Sequence, residues 1–338
     1  MNRKIAFIAI LIFSSCIHSS EEEQKSEIQL LSERISKNPD DLVLLYKRVN
    51  YNKSRNNFES ALFDLKQIIS LDSMNSINHL NIGKVYLELS KDESINYKYP
   101  SLVKYHINKS IEINNNNYEA YAVKGELLLV YYNYEDAIKA FNVSLKINYI
   151  QERTHLLMGY CFKQLEKYEN AINCFRNAVN INPQFFEGHM QLGQTFHLLG
   201  DSTAISYYEN ALKINPKDEL ALYNKALFFQ SQLDWNNALI SYSDLHKIDP
   251  FHSAGHYNLG FIHMELGLYD VASNNFSDAI YSNSEFFEAY FSRGNCFENL
   301  GNIAQAESDY IRAIEIKADY NYAIEALDNL RKNNKIYN

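Results

Sequence analysis

Apolar residues follow a pattern along the chain that repeats from residue 40 onward. The stretch 168–183 reads YENAINCFRNAVNINP, the stretch from Tyr134 begins YEDAIKAFNVSLKIN, and the stretch from Phe58 begins FESALFDLKQIISLD. Within each stretch the apolar residues fall three or four apart, which places them on one face of a helix. With only 11 Gly and 5 Pro, the sequence favours long helices over strands joined by tight turns. The pattern predicts an all-α protein.

Small residues mark a repeat within this pattern. One series, separated by steps of 34, 34, 33, 34 and 34 residues, consists of Gly125, Gly159, Gly193, Ala226, Gly260 and Gly294. A second series is always alanine, at positions 137, 171, 204, 238, 272 and 306. An aromatic residue follows each alanine four positions later, as Phe141, Phe175, Tyr208, Tyr242, Phe276 and Tyr310. Small residues allow two helices to cross closely, and a proline ends the second helix in three units, at Pro183, Pro216 and Pro250.

This combination of a helix A glycine, Ala-x3-aromatic and a closing proline resembles the tetratricopeptide repeat (TPR) family. The resemblance implies a right-handed superhelical solenoid of helix-turn-helix hairpins, with a concave groove lined by the first helix of each hairpin. We expect eight hairpins, at 42–75, 76–117, 118–151, 152–185, 186–218, 219–252, 253–286 and 287–320. A leading helix is expected within 26–41, a capping helix at 321–335, and a loop insertion near 90–100.

The first residues carry a different signal. Arg3 and Lys4 precede an apolar run at 5–13, which is too short to span a bilayer and fits a signal peptide over 1–15. The small residues Ser14 and Ser15 then lead to Cys16, and this run resembles the lipobox of bacterial lipoproteins, apart from Phe13 where that family has Leu. The resemblance implies lipidation of Cys16 and anchoring to a bacterial envelope membrane, the outer membrane in the periplasmic or surface-facing orientation. The alternative is an ordinary cleaved signal peptide with an incidental cysteine.

The segment 16–25 is predicted to be an acidic tether. Its three consecutive glutamates either resemble a surface-export signal or keep the tether soluble. The chain as a whole has a formal net charge of −9, and an acidic body repels phosphate backbones. Nucleic acid is therefore not expected as a partner.

Residues with catalytic or metal-binding chemistry are scattered. No nucleophile, acid–base pair or metal-ligand cluster with a supporting motif is present, so we predict neither an enzyme nor a cofactor or metal site. His155 and His256 occupy the position where the repeat usually has Trp and are expected at the edge of the core, whereas His197 is expected to face the groove. Cys161 and Cys296 are expected to be small buried residues, and a Cys161–Cys174 disulfide is left open.

Candidate binding residues follow from the groove-facing positions of the TPR family. In the C-terminal half these are Tyr223, Asn224, Tyr257, Asn258, Phe261 and Phe291, with Ser292, Leu227 and Met264 nearby. In the N-terminal half they are Tyr46, Asn50 and Asn81, with Lys84 nearby. The aromatic residues either form a binding stripe or pack between neighbouring helices, and an asparagine side chain can pair with a peptide backbone through both donor and acceptor. This arrangement resembles the asparagine ladder of the O-linked N-acetylglucosamine transferase superhelix.

Two further features bear on the partner. TPR domains that clamp a terminal carboxylate use Lys, Asn and Arg, but Tyr46, Glu119 and Val123 stand at three of those places, so that clamp is not expected. The insertion with Tyr97, Tyr99 and Pro100 is either a second contact surface or a tolerated loop.

The sequence thus predicts a non-enzymatic scaffold that binds a peptide or helix of another envelope protein. The alternative is a lipoprotein that captures peptides or glycans as substrates. An enzyme with an unrecognised site is a third possibility.

Overall fold

The structure, a computed structural model, describes residues 26–91 and 99–337, with side chains up to residue 332. All regular structure in these ranges is helical and contains no strand, which confirms the all-α prediction. The chain divides at residue 115 into two compact units. We name them the N-terminal unit, up to residue 115, and the C-terminal unit, from residue 116.

The N-terminal unit contains a leading helix and two hairpins. Its helices are α1 (Glu27–Lys37), α2 (Leu42–Lys53), α3 (Phe58–Leu71), α4 (Ser76–Leu89) and α5 (Tyr99–Ile113). Helices α2 and α3 form hairpin 1, and α4 and α5 form hairpin 2. The residues expected as an insertion lie between α4 and α5, where 92–98 are outside the described ranges.

The C-terminal unit contains six further hairpins and a trailing helix. Hairpins 3, 4 and 5 are α6 (Tyr118–Val130) with α7 (Tyr134–Ile147), α8 (Glu152–Gln164) with α9 (Tyr168–Ile181), and α10 (Phe186–Leu198) with α11 (Thr203–Ile214). Hairpins 6, 7 and 8 are α12 (Glu219–Ser231) with α13 (Trp235–Ile248), α14 (Ser253–Glu265) with α15 (Tyr269–Ser282), and α16 (Phe287–Asn299) with α17 (Ile303–Ile316). The chain continues into α18 (Asn321–Tyr337).

Polar side chains fix the starts of several helices. The Asp218 carboxylate accepts a hydrogen bond from the Ala221 amide at 2.8 Å, and Asp41 accepts from Val43 at 2.9 Å. Each bond satisfies an amide that has no partner within its helix. In the hairpins other than hairpin 2, the turn instead contains one residue with a left-handed backbone, which is Gly267 in hairpin 7 but Leu233, with φ 57°, in hairpin 6.

The repeated glycine lies directly against the repeated aromatic ring of its own hairpin. A Cβ atom added to Gly159 would lie 2.6 Å from Phe175 Cε1, and one added to Gly294 would lie 2.7 Å from Tyr310 Cε1. Phe175 and Tyr310 are fully buried, so each ring is enclosed by protein. The small residue therefore sets how closely the two helices of a hairpin pack.

Two hairpins hold a partly buried arginine in the same way. In each, an arginine of the first helix donates two hydrogen bonds of 2.6–2.8 Å to an aspartate of the second helix, and a third to a serine of the preceding helix. The two sets are Arg48, Asp64 and Ser32, and Arg293, Asp309 and Ser277. Ser277 belongs to the second helix of hairpin 7, whereas Ser32 belongs to α1. Helix α1 therefore stands in the place of the second helix of a preceding hairpin.

Candidate functional site

The first helices of the C-terminal unit line its inner side. Helix α6 contacts α8, α8 contacts α10, α10 contacts α12, and α14 contacts α16, although a second helix separates each pair in sequence. Among the described residues of this unit, no pair of second helices shows comparable contact. The array therefore bends toward its first helices, and the exposed part of their surface forms a concave face. We call this face the groove.

The three aromatic residues expected as a stripe are partly buried between hairpins. The Tyr257 ring lies 5.5 Å from Phe276, in its own hairpin, and 4.9 Å from Phe286, just before the next first helix. Tyr223 and Phe291 make the corresponding pairs of contacts with Tyr242 and His252, and with Tyr310 and Tyr320. These rings join consecutive hairpins and leave part of their surface exposed on the groove.

The tyrosine hydroxyls reach the next first helix. The Asn258 amide donates to the Tyr223 hydroxyl at 3.3 Å, and the Ser292 hydroxyl donates to the Tyr257 hydroxyl at 3.5 Å. Asn258 is 9 % exposed, so its donor is engaged within the protein. The structure thus links Tyr223 with Asn258 and Tyr257 with Ser292. The two candidate asparagines, Asn224 and Asn258, lie in different environments.

Asn224 is the asparagine without such a link. Its side chain is partly buried, and its amide nitrogen is buried with no hydrogen-bond partner among the described residues. An unsatisfied buried donor costs about 1–3 kcal/mol, which a partner group would recover. Leu227, Phe261 and Met264 lie on the same series of first helices and are also partly exposed. The groove of hairpins 6 and 7 therefore combines apolar surface with one unsatisfied amide.

In the N-terminal unit the candidate residues are connected differently from the expectation. The Tyr46 hydroxyl donates to Asn78 Oδ1, and the Asn78 amide donates to the carbonyl of Asp72 at 2.9 Å. Burial raises the pKa of Tyr46, with a smaller contribution from the charge of Asp72. Asn78 was missed because it occupies the third place of its helix, which is not a groove-facing position.

The other candidates of the N-terminal unit lie on the first helices of hairpins 1 and 2. Asn50 is exposed on α2, Asn81 is partly buried on α4, and Lys84 is partly buried one turn further along α4. The structure therefore brings together Tyr46 and Asn78 but not Tyr46, Asn50 and Asn81.

Histidines recur at the fourth residue of four first helices, and they hold the turn that precedes each helix. The Nε2 atoms of His79, His155, His189 and His256 each donate to the carbonyl six residues earlier, at 2.9–3.2 Å. His155 is 1 % exposed and His256 is 6 % exposed, in agreement with their predicted place in the core edge. Burial lowers the pKa of His155, partly offset by its hydrogen bond to the Tyr149 carbonyl.

The remaining histidine and cysteine candidates are structural. His197 is partly buried, and its Nδ1 lies 3.3 Å from the Tyr208 hydroxyl. Cys161, Cys174 and Cys296 are buried free thiols, and burial raises the pKa of each to about 12. Within the described ranges, no three His, Cys, Asp or Glu side chains converge in a way that could hold a metal ion.

Several predicted features lie outside the described residues. These are the signal peptide, the lipidation site Cys16, the acidic tether and the part of the insertion that contains Tyr97. Tyr99 and Pro100 begin α5, and the Tyr99 ring lies 5.7 Å from the ring of Tyr86. Of the helices that the structure describes, none has the length and apolar character needed to cross a bilayer.

Three family models match parts of the chain. A model of the TPR repeat matches residues 159–200, and two models of the tetratricopeptide repeat match residues 186–218 and 257–323. Together they cover hairpins of the C-terminal unit. No curated protein matches the sequence.

Solved structures provide further similarities. The chain is similar to the MamA protein, with 20% identity over 50% of this chain and 94% of that chain and a TM-score of 0.46. It is similar to YrrB, a TPR protein with an unusual peptide-binding site, with 18% identity over 65% of this chain and 96% of that chain and a TM-score of 0.42. It is also similar to the APC/C hetero-tetramer Cut9-Hcn1, with 15% identity over 90% of this chain and 58% of that chain and a TM-score of 0.47. At these identities and TM-scores, none of the three bears on function.

Proposed function

We propose that this chain, a tetratricopeptide repeat protein, is a non-enzymatic scaffold that holds a peptide segment of a partner protein in the groove of its C-terminal unit. Membership of the repeat family supports the broader part, an interaction scaffold. The place and kind of binding rest on the groove itself, because a fold of this kind does not define a function.

The unsatisfied amide of Asn224 is the observation that carries the proposal. Asn258, at the same place in the next hairpin, has its donor engaged by Tyr223, whereas Asn224 Nδ2 has no partner among the described residues. Rotation of the Asn224 amide toward the groove allows it to donate to a backbone carbonyl of an extended peptide and to accept from a backbone amide. The peptide thereby removes the cost of the buried donor.

The apolar surface beside Asn224 provides the rest of the contact. Phe261 and Met264, with the exposed part of Tyr257, present apolar and aromatic surface along α14. Such surface stabilises a peptide by burying its apolar side chains, at about 25 cal/mol for each Å² removed from water. A peptide with apolar side chains on one edge therefore fits hairpins 6 and 7.

A photocrosslinking experiment in intact cells tests the proposal. Phe261→p-benzoylphenylalanine places the reactive group in the groove, and Ile240→p-benzoylphenylalanine places it on the exposed face of the second helix α13, where Ile240 is 60 % exposed. We expect a discrete protein adduct from position 261 and none from position 240. Adducts from position 240 alone, or equal adducts from both, would contradict the groove. Adducts only with small peptides or glycans would support substrate capture instead.

We further propose that the chain acts at a bacterial envelope membrane, anchored by a lipidated Cys16, with another envelope protein as its partner. The support is the sequence of residues 1–16, with its basic start, apolar run, small residues and cysteine. Fractionation of cells that express the native chain or Cys16→Ser tests this setting. We expect the native chain in the membrane fraction and Cys16→Ser in the periplasmic fraction, and identical distributions of the two would overturn the anchor.

A further inference from the structure

In three hairpins of the C-terminal unit, the twelfth residue of the first helix contacts the buried aromatic residue of the same hairpin. In hairpins 5, 6 and 8 that ring is a tyrosine, and its hydroxyl is hydrogen-bonded to the twelfth residue. The pairs are Tyr208 with His197 at 3.3 Å, Tyr242 with Gln230 at 2.6 Å, and Tyr310 with Glu298 at 2.7 Å. All three rings are fully buried, so each hydroxyl needs such a partner. The polar side chain of the twelfth residue, at the edge of the groove, is thereby hydrogen-bonded to the core of its own hairpin.

Hairpin 4 differs at both places. Its ring is Phe175, which has no hydroxyl, and its twelfth residue is Lys163, which is partly buried. The Lys163 ammonium donates to Gln191 Oε1 at 3.2 Å, and the Gln191 amide donates in turn to Gln194 Oε1 at 3.2 Å. Lys163 is thus held by a neutral amide of the next hairpin. Burial lowers the pKa of Lys163, which reflects the cost of keeping its charge away from water.

Three other basic side chains of the first helices in the C-terminal unit have carboxylate partners. Arg153 lies 3.3 Å from Glu126, Lys225 lies 3.0 Å from Glu209, and Arg293 lies 2.7 Å from Asp309. Among the described residues, no carboxylate lies within ion-pair distance of Lys163. A partly buried ammonium without a counter-charge is stabilised by an incoming anion more than an ammonium that is already paired.

We propose that Lys163 binds the carboxylate of an Asp or Glu side chain in the partner segment, with the amides of Gln191 and Gln194 beside it. This inference rests on the proposed function, because it assigns one position of the same peptide. A single ammonium next to neutral amides matches a monoanion. The C-terminal unit has 27 acidic and 17 basic residues over 116–338, so an acidic side chain is repelled over most of the unit and held at Lys163. Lys163 therefore fixes the register of the peptide.

Selection of peptides from a phage-displayed random library on the intact chain tests the assignment. The native chain is compared with Lys163→Met, which keeps the apolar stem, and with Lys225→Met, which removes a partly buried but paired lysine of hairpin 6. We expect the native chain and Lys225→Met to select peptides with Asp or Glu at one fixed distance from an apolar or aromatic residue. Lys163→Met should retain the apolar preference and lose the acidic one, and Lys163→Glu should select Lys or Arg at that place.

Synthetic versions of a selected peptide give the magnitude. With an internal Glu and an amidated C-terminus, the dissociation constant should rise about 10- to 100-fold in Lys163→Met and stay unchanged in Lys225→Met. An acidic preference that persists in Lys163→Met, or no acidic preference in the native chain, would overturn the assignment and leave the groove proposal standing. Binding that requires a free C-terminal carboxylate would also overturn it. Failure of the native chain to select any peptide would overturn both.

Discussion

Hairpins 4 and 6 place different side chains on the same backbone. Hairpin 6 has Ala226, Gln230 and Tyr242 where hairpin 4 has Gly159, Lys163 and Phe175. In hairpin 6 the tyrosine hydroxyl holds the glutamine, whereas in hairpin 4 the lysine points past a phenylalanine to an amide of the next hairpin. The presence or absence of one hydroxyl group on the ring thus decides whether the twelfth residue of the first helix is hydrogen-bonded within its own hairpin.

Hairpins 4 and 6 also differ in the small residue at which their two helices pack most closely. Substitution at this position has the largest expected effect on stability. Gly159→Ala places a methyl group 2.6 Å from Phe175 Cε1 and 3.1 Å from Cys174 Cβ, in a core that is fully buried at Phe175. We expect the free energy of unfolding to fall by about 1–3 kcal/mol, because overpacking outweighs the higher helix propensity of alanine. Urea unfolding monitored by circular dichroism gives the change.

The matched variant at the same position of hairpin 6 is Ala226→Gly. Its expected loss is only about 0.5–1 kcal/mol, from the greater backbone freedom of glycine. A stabilised Gly159→Ala would contradict the view that the small residue is required by the ring beside it.

Removal of the tyrosine hydroxyl in hairpin 6 has the next largest expected effect on stability. Tyr242→Phe removes a hydrogen bond of 2.6 Å to Gln230 and should lower the free energy of unfolding by about 1 kcal/mol. Tyr208→Phe, which removes a longer bond of 3.3 Å to His197, should cost less. Equal urea midpoints for both variants and the native chain would mean that these hydroxyls do not hold the twelfth residue.

The turn of hairpin 6 should tolerate glycine better than its own residue. Leu233 has φ 57° and is 68 % exposed, so its side chain disfavours the left-handed backbone while contributing little packing. We expect Leu233→Gly to raise the free energy of unfolding by about 1 kcal/mol, as at helix ends where glycine takes this place. Gln232→Gly, one residue earlier at φ −91°, should instead be destabilising in the same urea titration. A loss of stability in both variants would argue against backbone strain at Leu233.

The smallest expected effect is on the stability of the fold at acidic pH. Hairpin 4 has buried His155 at the fourth place of its first helix, where hairpin 6 has Leu222. The pKa of His155 in the fold lies below the ordinary value of 6.5, so the unfolded chain takes up the proton first as the pH falls. The stability linked to neutral His155 is therefore complete above pH 6.5 and is lost progressively below it.

His155→Leu should flatten the dependence of the melting temperature on pH from roughly pH 7 to pH 5. The part of this dependence that comes from the other histidines should remain. Melting followed by circular dichroism across this range checks the slope. An unchanged slope would show that His155 does not remain neutral in the folded protein.

The sequence was sufficient for the fold because its information is periodic. Glycine, alanine and aromatic residues at fixed phase define where helices cross, and each phase is sampled in several hairpins. The left-handed turn residues were not predictable in the same way, because Tyr132, Glu166 and Leu233 occupy a conformation that glycine normally signals. There the demands of the turn override the local preference of the residue.

The candidate site could be predicted only in part. Phase alone placed Tyr223, Tyr257 and Phe291 together, but the difference between Asn224 and Asn258 depends on where the Tyr223 hydroxyl points. Lys163 was missed although a signal was present, since it is a basic residue whose partner position twelve places later is Phe175, where hairpins 5, 6 and 8 have Tyr. Asn78 had no such signal, because its link to Tyr46 depends on side-chain direction across two hairpins.

The binding of one selected peptide to four forms of the chain tests the central claim, that a single segment lies along the groove from hairpin 4 to hairpin 7. The forms are the native chain, Lys163→Met, Phe261→Ala and the double variant, with affinity measured by calorimetry. We expect each single variant to weaken binding and the double variant to weaken it further, while a peptide with its acidic residue replaced by alanine responds to Phe261→Ala alone. Affinity that is unchanged by Phe261→Ala would place the peptide elsewhere and contradict the account.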